Sequence, residues 1–163
     1  MSGNSLVVAA DAAARWFRQP APAALSAART ARVRALGAVD NAGGLSFALR
    51  EAVESVTQAV SDAARWDLGA DPVFATMADA LGQGAKALER AERAPAAKRA
   101  EGLIEAKRWA ADVERRRRVE RAAARESPFV ADSVKRREIA DRFSAAAEAL
   151  QEACDILAGS LAG

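Results

Sequence analysis

Apolar positions in this chain recur at intervals of three and four, the period of a helix face. Leu45, Leu49, Val53, Val56 and Val60 step by 4, 4, 3 and 4. Phe74, Met77, Leu81, Ala85 and Leu88 form a second stripe. Ile139, Phe143, Ala146, Leu150, Ala153 and Leu157 form a third, the most regular heptad in the chain. Proline and glycine divide the helical stretches. A short helix over 6–18 is expected to stop at Gln19-Pro20-Ala21-Pro22. A long tract follows over about 25–66, with a bend or break expected at Gly37, Gly43 and Gly44, because each glycine costs roughly 1 kcal/mol in a helix interior. Asp71-Pro72 reads as an N-cap followed by proline at the first helical position, opening a helix that Pro95 ends. The next helix spans about 96–126, with Leu103, Ile104, Trp109, Ala110 and Val113 as its buried side. Its second half, from Glu114 to Arg118, is nearly all polar and is expected to extend into solvent. After Pro128, Asp132-Ser133 reads as the cap of a last helix running to about Leu161.

Composition agrees with this pattern. Of 163 residues, 45 are Ala, 24 are basic and 22 acidic. Ala, Arg, Glu and Lys are strong helix formers, and Tyr is absent. The expected fold is all-α: one domain over 1–163, an antiparallel bundle of four long helices with an extra short N-terminal helix, joined by short links. Alanine-rich faces let helix axes approach closely.

The chain has no His, which excludes His-ligated metals and Ser-His or Cys-His nucleophiles. A lone Cys154 forms no internal disulfide and suits a reducing compartment. Neither glycine-rich nucleotide-loop motif occurs, and the N-terminus is a poor signal peptide. The apolar runs are far shorter than the roughly 20 residues of a membrane span. A cytoplasmic protein, peripheral to the inner membrane, is expected, with no enzymatic activity and no small-molecule substrate.

Net charge is only +2, but it is unevenly spread. Arg115, Arg116, Arg117, Arg118, Arg121 and Arg125 form one basic block and Lys135, Arg136 and Arg137 another. Such a patch suits an anionic membrane, an acidic partner or nucleic acid. Glu114, Glu120 and Glu126 interleave with it, and no aromatic between Trp109 and Phe129 offers a base a stacking surface. A plain exposed charged face is the simpler account. Glu148, Glu152 and Asp155 share one side of the last helix at i, i+4 and i+7, a spacing that suits a hard cation and equally a solvated acidic face.

The segment SVKRREIADRFSAAAEALQEACDILAGSLAG resembles the closing helix of the PhoU-like family, in particular the accessory proteins of Pit-type inorganic-phosphate transporters. Lys135, Arg137, Glu138 and Ile139 match its opening, Glu148, Glu152 and Asp155 its acidic places, and Leu157 and Gly159 its close. Upstream, ALGAVDNAGG, DPVFATMADALGQGAKALERA and LIEAKRWAADVE follow in family order, so the resemblance covers about 31–161. It implies a fold built on the family's second three-helix repeat plus a short N-terminal helix, with most of the first repeat missing. It also implies association with a phosphate permease or the membrane surface around it, and self-association. The family's carboxylate motifs bind divalent metal; here they reduce to Asp40, Asp112, Glu148, Glu152 and Asp155. Arg108 stands where the second motif has Glu, four residues from Asp112, and is expected to pair with it. The metal cluster is therefore expected to be lost and no cofactor held. The alternative expectation is a nucleic-acid-binding helical module using the two basic blocks.

Overall fold

The structure, a computed structural model, describes residues 2–37 and 43–162. Among these it has six helices and no strand: α1 (Ser2–Arg18), α2 (Pro22–Gly37), α3 (Gly44–Arg65), α4 (Pro72–Arg93), α5 (Ala96–Glu126) and α6 (Val130–Ala162). The expected long tract over 25–66 is thus two helices, with the glycine-weakened stretch between them, and Pro22 rather than Leu25 opens α2.

Helix ends follow local chemistry. Asp71 Oδ1 accepts from the backbone N of Val73 (2.9 Å) and Phe74 (3.2 Å), capping α4. α3 closes through Asp67, whose φ of 54° is left-handed, so that Leu68 N reaches back to Ala63 O at 2.9 Å. α6 starts two residues before the expected cap, and Ser127 Oγ accepts from Phe129 N at 3.3 Å. Ser133 instead donates its hydroxyl to Phe129 O.

The helices fall into two groups of three. α1, α2 and α3 touch one another, as do α4, α5 and α6, and the groups meet through α1 on α4 and α3 on α6. Arg117 meets Asp141, and Lys107 meets Asp155, along α5 and α6. Arg90 meets Glu105 along α4 and α5, and Asp62 faces Arg142 along α3 and α6.

All three predicted apolar stripes face the core, with Leu45 only partly covered. Phe17 of α1, Phe74 of α4 and Phe143 of α6 form its aromatic centre, with ring centroids 5.3, 5.8 and 6.2 Å apart. Much of the remaining core is alanine, which buries little surface per residue and so demands close helix approach. Gly102 supplies that approach between α5 and α4: a Cβ there would lie 2.9 Å from Ala91 Cβ. Gly84 on α4 does the same beneath Leu150 and Trp109.

Two expectations for α5 fail. Ile104 is exposed, and Ala106 takes the buried place between Leu103 and Ala110. The polar second half does not extend freely into solvent. It is fastened to α6 by Arg117–Asp141 (2.9 Å), by Ser144 donating to Glu114, and by Arg136–Glu120 (2.5 Å). Glu120 is 8% exposed. Such long-range pairs sit 16 to 30 positions apart, beyond any local periodicity.

Candidate functional site

Two of the concave surfaces lined by charge hold candidate residues: the groove between α3 and α6, and the end of the hairpin formed by α5 and α6.

The groove, about 460 Å³, gathers Glu51 and Glu54 of α3, Glu148 and Glu152 of α6, and the guanidiniums of Arg32 and Arg142. Glu51 and Glu54 give no signal in the sequence, since they are ordinary polar positions opposite the α3 stripe. Asp155 does not join Glu148 and Glu152. It turns toward α5, where Lys107 Nζ lies 2.5 Å from its Oδ1. That hydrogen bond holds the Lys107 ammonium above its ordinary pKa. Asp112 is engaged within its own helix by Arg115 and Arg116, the latter at 2.8 Å, and not by Arg108 as expected. Asp40 lies outside the described residues. The candidate ligands are therefore dispersed, and among the described residues no three acidic or Cys side chains group as a metal site. Two arginines at the groove oppose a cation there electrostatically.

The nine basic residues of the two blocks divide in two. Arg115, Arg116, Arg117 and Arg136 are engaged by Asp112, Asp141, Glu120 and Asp71. Hydrogen bonding to Asp141 raises the Arg117 pKa. For Arg136, burial pulls the pKa down, but hydrogen bonds to Glu120 and Asp71 outweigh it, and the net direction is up. Its guanidinium also lies 4.8 Å from the centroid of Phe74. These four are structural cations.

Arg118, Arg121, Arg125, Lys135 and Arg137 have no carboxylate partner among the described residues. Three of them, Arg121, Arg125 and Arg137, line a cleft of about 230 Å³ at the hairpin end, together with Ser127, Ser133, Val130 and Val134. No acidic side chain lines it. Of its apolar walls Val130 is 73% exposed and Val134 is exposed as well, and the adjoining Phe129 is 69% exposed. The sequence pattern passes over Phe129 and Val130 because a two-residue apolar step after Pro128 has no period to mark it.

Trp16 is buried, and Trp66 and Trp109 are partly buried against the core. Cys154 is fully buried, and desolvation pushes its thiol up to about 11, the opposite of a nucleophile's shift.

Comparison with known proteins returns no match: no family model, no curated protein and no solved structure is detectably similar to the chain.

Proposed function

We propose that the chain is a shortened, non-enzymatic member of the PhoU-like accessory proteins and regulates inorganic-phosphate transport through surface contacts. The observation that carries this reading is the grouping of the helices. Two mutually packed threes, joined with first against fourth and third against sixth, are what two tandem three-helix repeats produce as an antiparallel bundle. On this reading α1 to α3, shorter than α4 to α6, stand in the place of the first repeat, instead of that repeat being mostly missing as the resemblance implies.

Asp112 and Asp155 are held in ion pairs apart from the groove that Glu148 and Glu152 share, which fits a member that works without the family's metal cluster. Among the described residues no helix is long and apolar enough to cross a membrane, so action at a permease would be peripheral, from the cytoplasmic side of the inner membrane. The unpaired basic end of α5 and α6 is the surface best suited to it, and the alanine-lined faces suit self-association.

Deleting the gene and measuring uptake of labelled phosphate tests the reading. Altered uptake, restored by the intact chain, is the expected result. Unchanged uptake under phosphate-rich and phosphate-poor growth overturns it. The second reading, a nucleic-acid-binding module, draws on the same five unpaired cations. It requires a mobility shift with duplex DNA or RNA whose affinity falls steeply with salt.

A further inference from the structure

The geometry points to a lipid-docking site: the α5–α6 hairpin end seats on an anionic phospholipid surface, with a lipid phosphate in the Arg121–Arg125–Arg137 cleft and the Phe129–Val130 corner in the interfacial layer. The inference rests on reading this end as the contact surface, and it names what is contacted.

Two independent features meet there. The first is charge. Residues 115–138 hold nine basic and four acidic side chains. Internal pairing engages four of the basic residues and Glu120. Glu126, Asp132 and Glu138 remain exposed on the same end, but none of them lines the cleft. Three arginines therefore line one concave spot without an opposing carboxylate, and Ser127, whose Oγ only accepts from Phe129 N, keeps a hydroxyl proton to donate, a donor set that suits a phosphate ester.

The second feature is apolar exposure. A single exposed aliphatic residue is ordinary. Here exposed Phe129 adjoins Val130 and Val134, which form part of the wall of the cleft itself. The links at 19–21 and 94–95 hold only Gln, Pro and Ala, and in the 66–71 link the apolar Trp66 and Leu68 pack against the core. Cations at the phosphate level with an aromatic and an aliphatic side chain just beyond them are the pairing that an anionic bilayer interface accommodates.

Sedimentation of the full purified chain with phosphatidylcholine vesicles, with and without phosphatidylglycerol, tests this. Pelleting is expected only with phosphatidylglycerol and weakens as salt rises. Substituting Arg121→Gln, Arg125→Gln and Arg137→Gln together lowers vesicle affinity roughly 100-fold, at about fivefold per charge. Phe129→Ser lowers it roughly tenfold. Arg29→Gln with Arg34→Gln, exposed cations on α2, leaves it unchanged. All these positions are exposed, so circular dichroism should match the parent. Absence of pelleting overturns the inference, as does equal pelleting with neutral vesicles or equal loss in the α2 control. Displacement from vesicles by millimolar inorganic phosphate would identify the cleft as a small-anion site and overturn the lipid assignment. Binding that Phe129→Ser leaves intact and that duplex DNA reproduces would transfer the site to nucleic acid. The assay contains no transporter, so it and the uptake experiment fail independently.

Discussion

Arg136 donates to Asp71, the residue that caps α4, although 65 positions separate them. One carboxylate oxygen of Asp71 holds the first turn of α4 while the other receives the guanidinium from α6. Asp71 N also donates to Phe17 O at 2.6 Å, so the end of α1 is tied into the same junction. Glu120 of α5 completes it from the other side of Arg136.

Removing either end of this junction should therefore cost more than a surface ion pair. Arg136→Ala is expected to lose about 2–3 kcal/mol, because it strands the buried Glu120 carboxylate. Asp71→Ala loses its cap, about 1 kcal/mol, in addition to the pair. Adding Glu120→Gln to Arg136→Ala should restore part of the loss. Urea melts of the single and double variants measure the coupling, and strictly additive losses would show that the three groups act separately.

Gly102→Ala should destabilise the fold even though alanine is the better helix former. The new Cβ meets Ala91 Cβ at 2.9 Å and Ala87 O at 3.2 Å, neither of which can rotate away. Separating α5 from α4 to make room is expected to cost about 1–3 kcal/mol, more than the roughly 1 kcal/mol of propensity gained. A melting temperature equal to or above the parent's would contradict the close approach.

Cys154 should resist thiol reagents in the native state and react once denaturant opens the core. Its folded pKa, about 11, lies above the ordinary 9.0, so the folded state favours the protonated thiol. The associated stability is complete below pH 9 and is lost as pH rises toward 11. Cys154→Ala removes this alkaline component. Melts at pH 8 and 10.5 compare the two, and parallel pH profiles would refute it.

Magnesium or manganese should leave the melting temperature unchanged, and Glu148→Gln with Glu152→Gln should not lower it. Both glutamates share their groove with Arg32 and Arg142, and Asp155 is occupied by Lys107. A metal-dependent rise in melting temperature that the double variant abolishes would restore the cation site.

What could be read from the chain in advance was whatever local chemistry decides. The Asp71-Pro72 start and the α6 stripe are local, and both appear where expected. α6 starts at Val130, ahead of the Asp132-Ser133 pair, and Ser133 lies within its first turn, donating to Phe129 O, so a cap-like pair inside a helix misleads a local reading. The fate of the arginine run was not legible, because Asp141, Ser144 and Arg136 reach it only through the folding of α6 onto α5. For the same reason the nine basic residues read as one patch, although cross-helix pairing divides them. The hairpin corner was invisible as a site, since its concavity exists only once two helices meet.

The aromatic centre sets an order of events during synthesis. Its rings come from the first, fourth and last helices, so a nascent chain emerging from the ribosome lacks a complete centre until Phe143 has left the exit tunnel. Until then Phe17 and Phe74 lack the third ring of the centre. A product prematurely terminated before α6 would present that unfinished seam to chaperones and proteases.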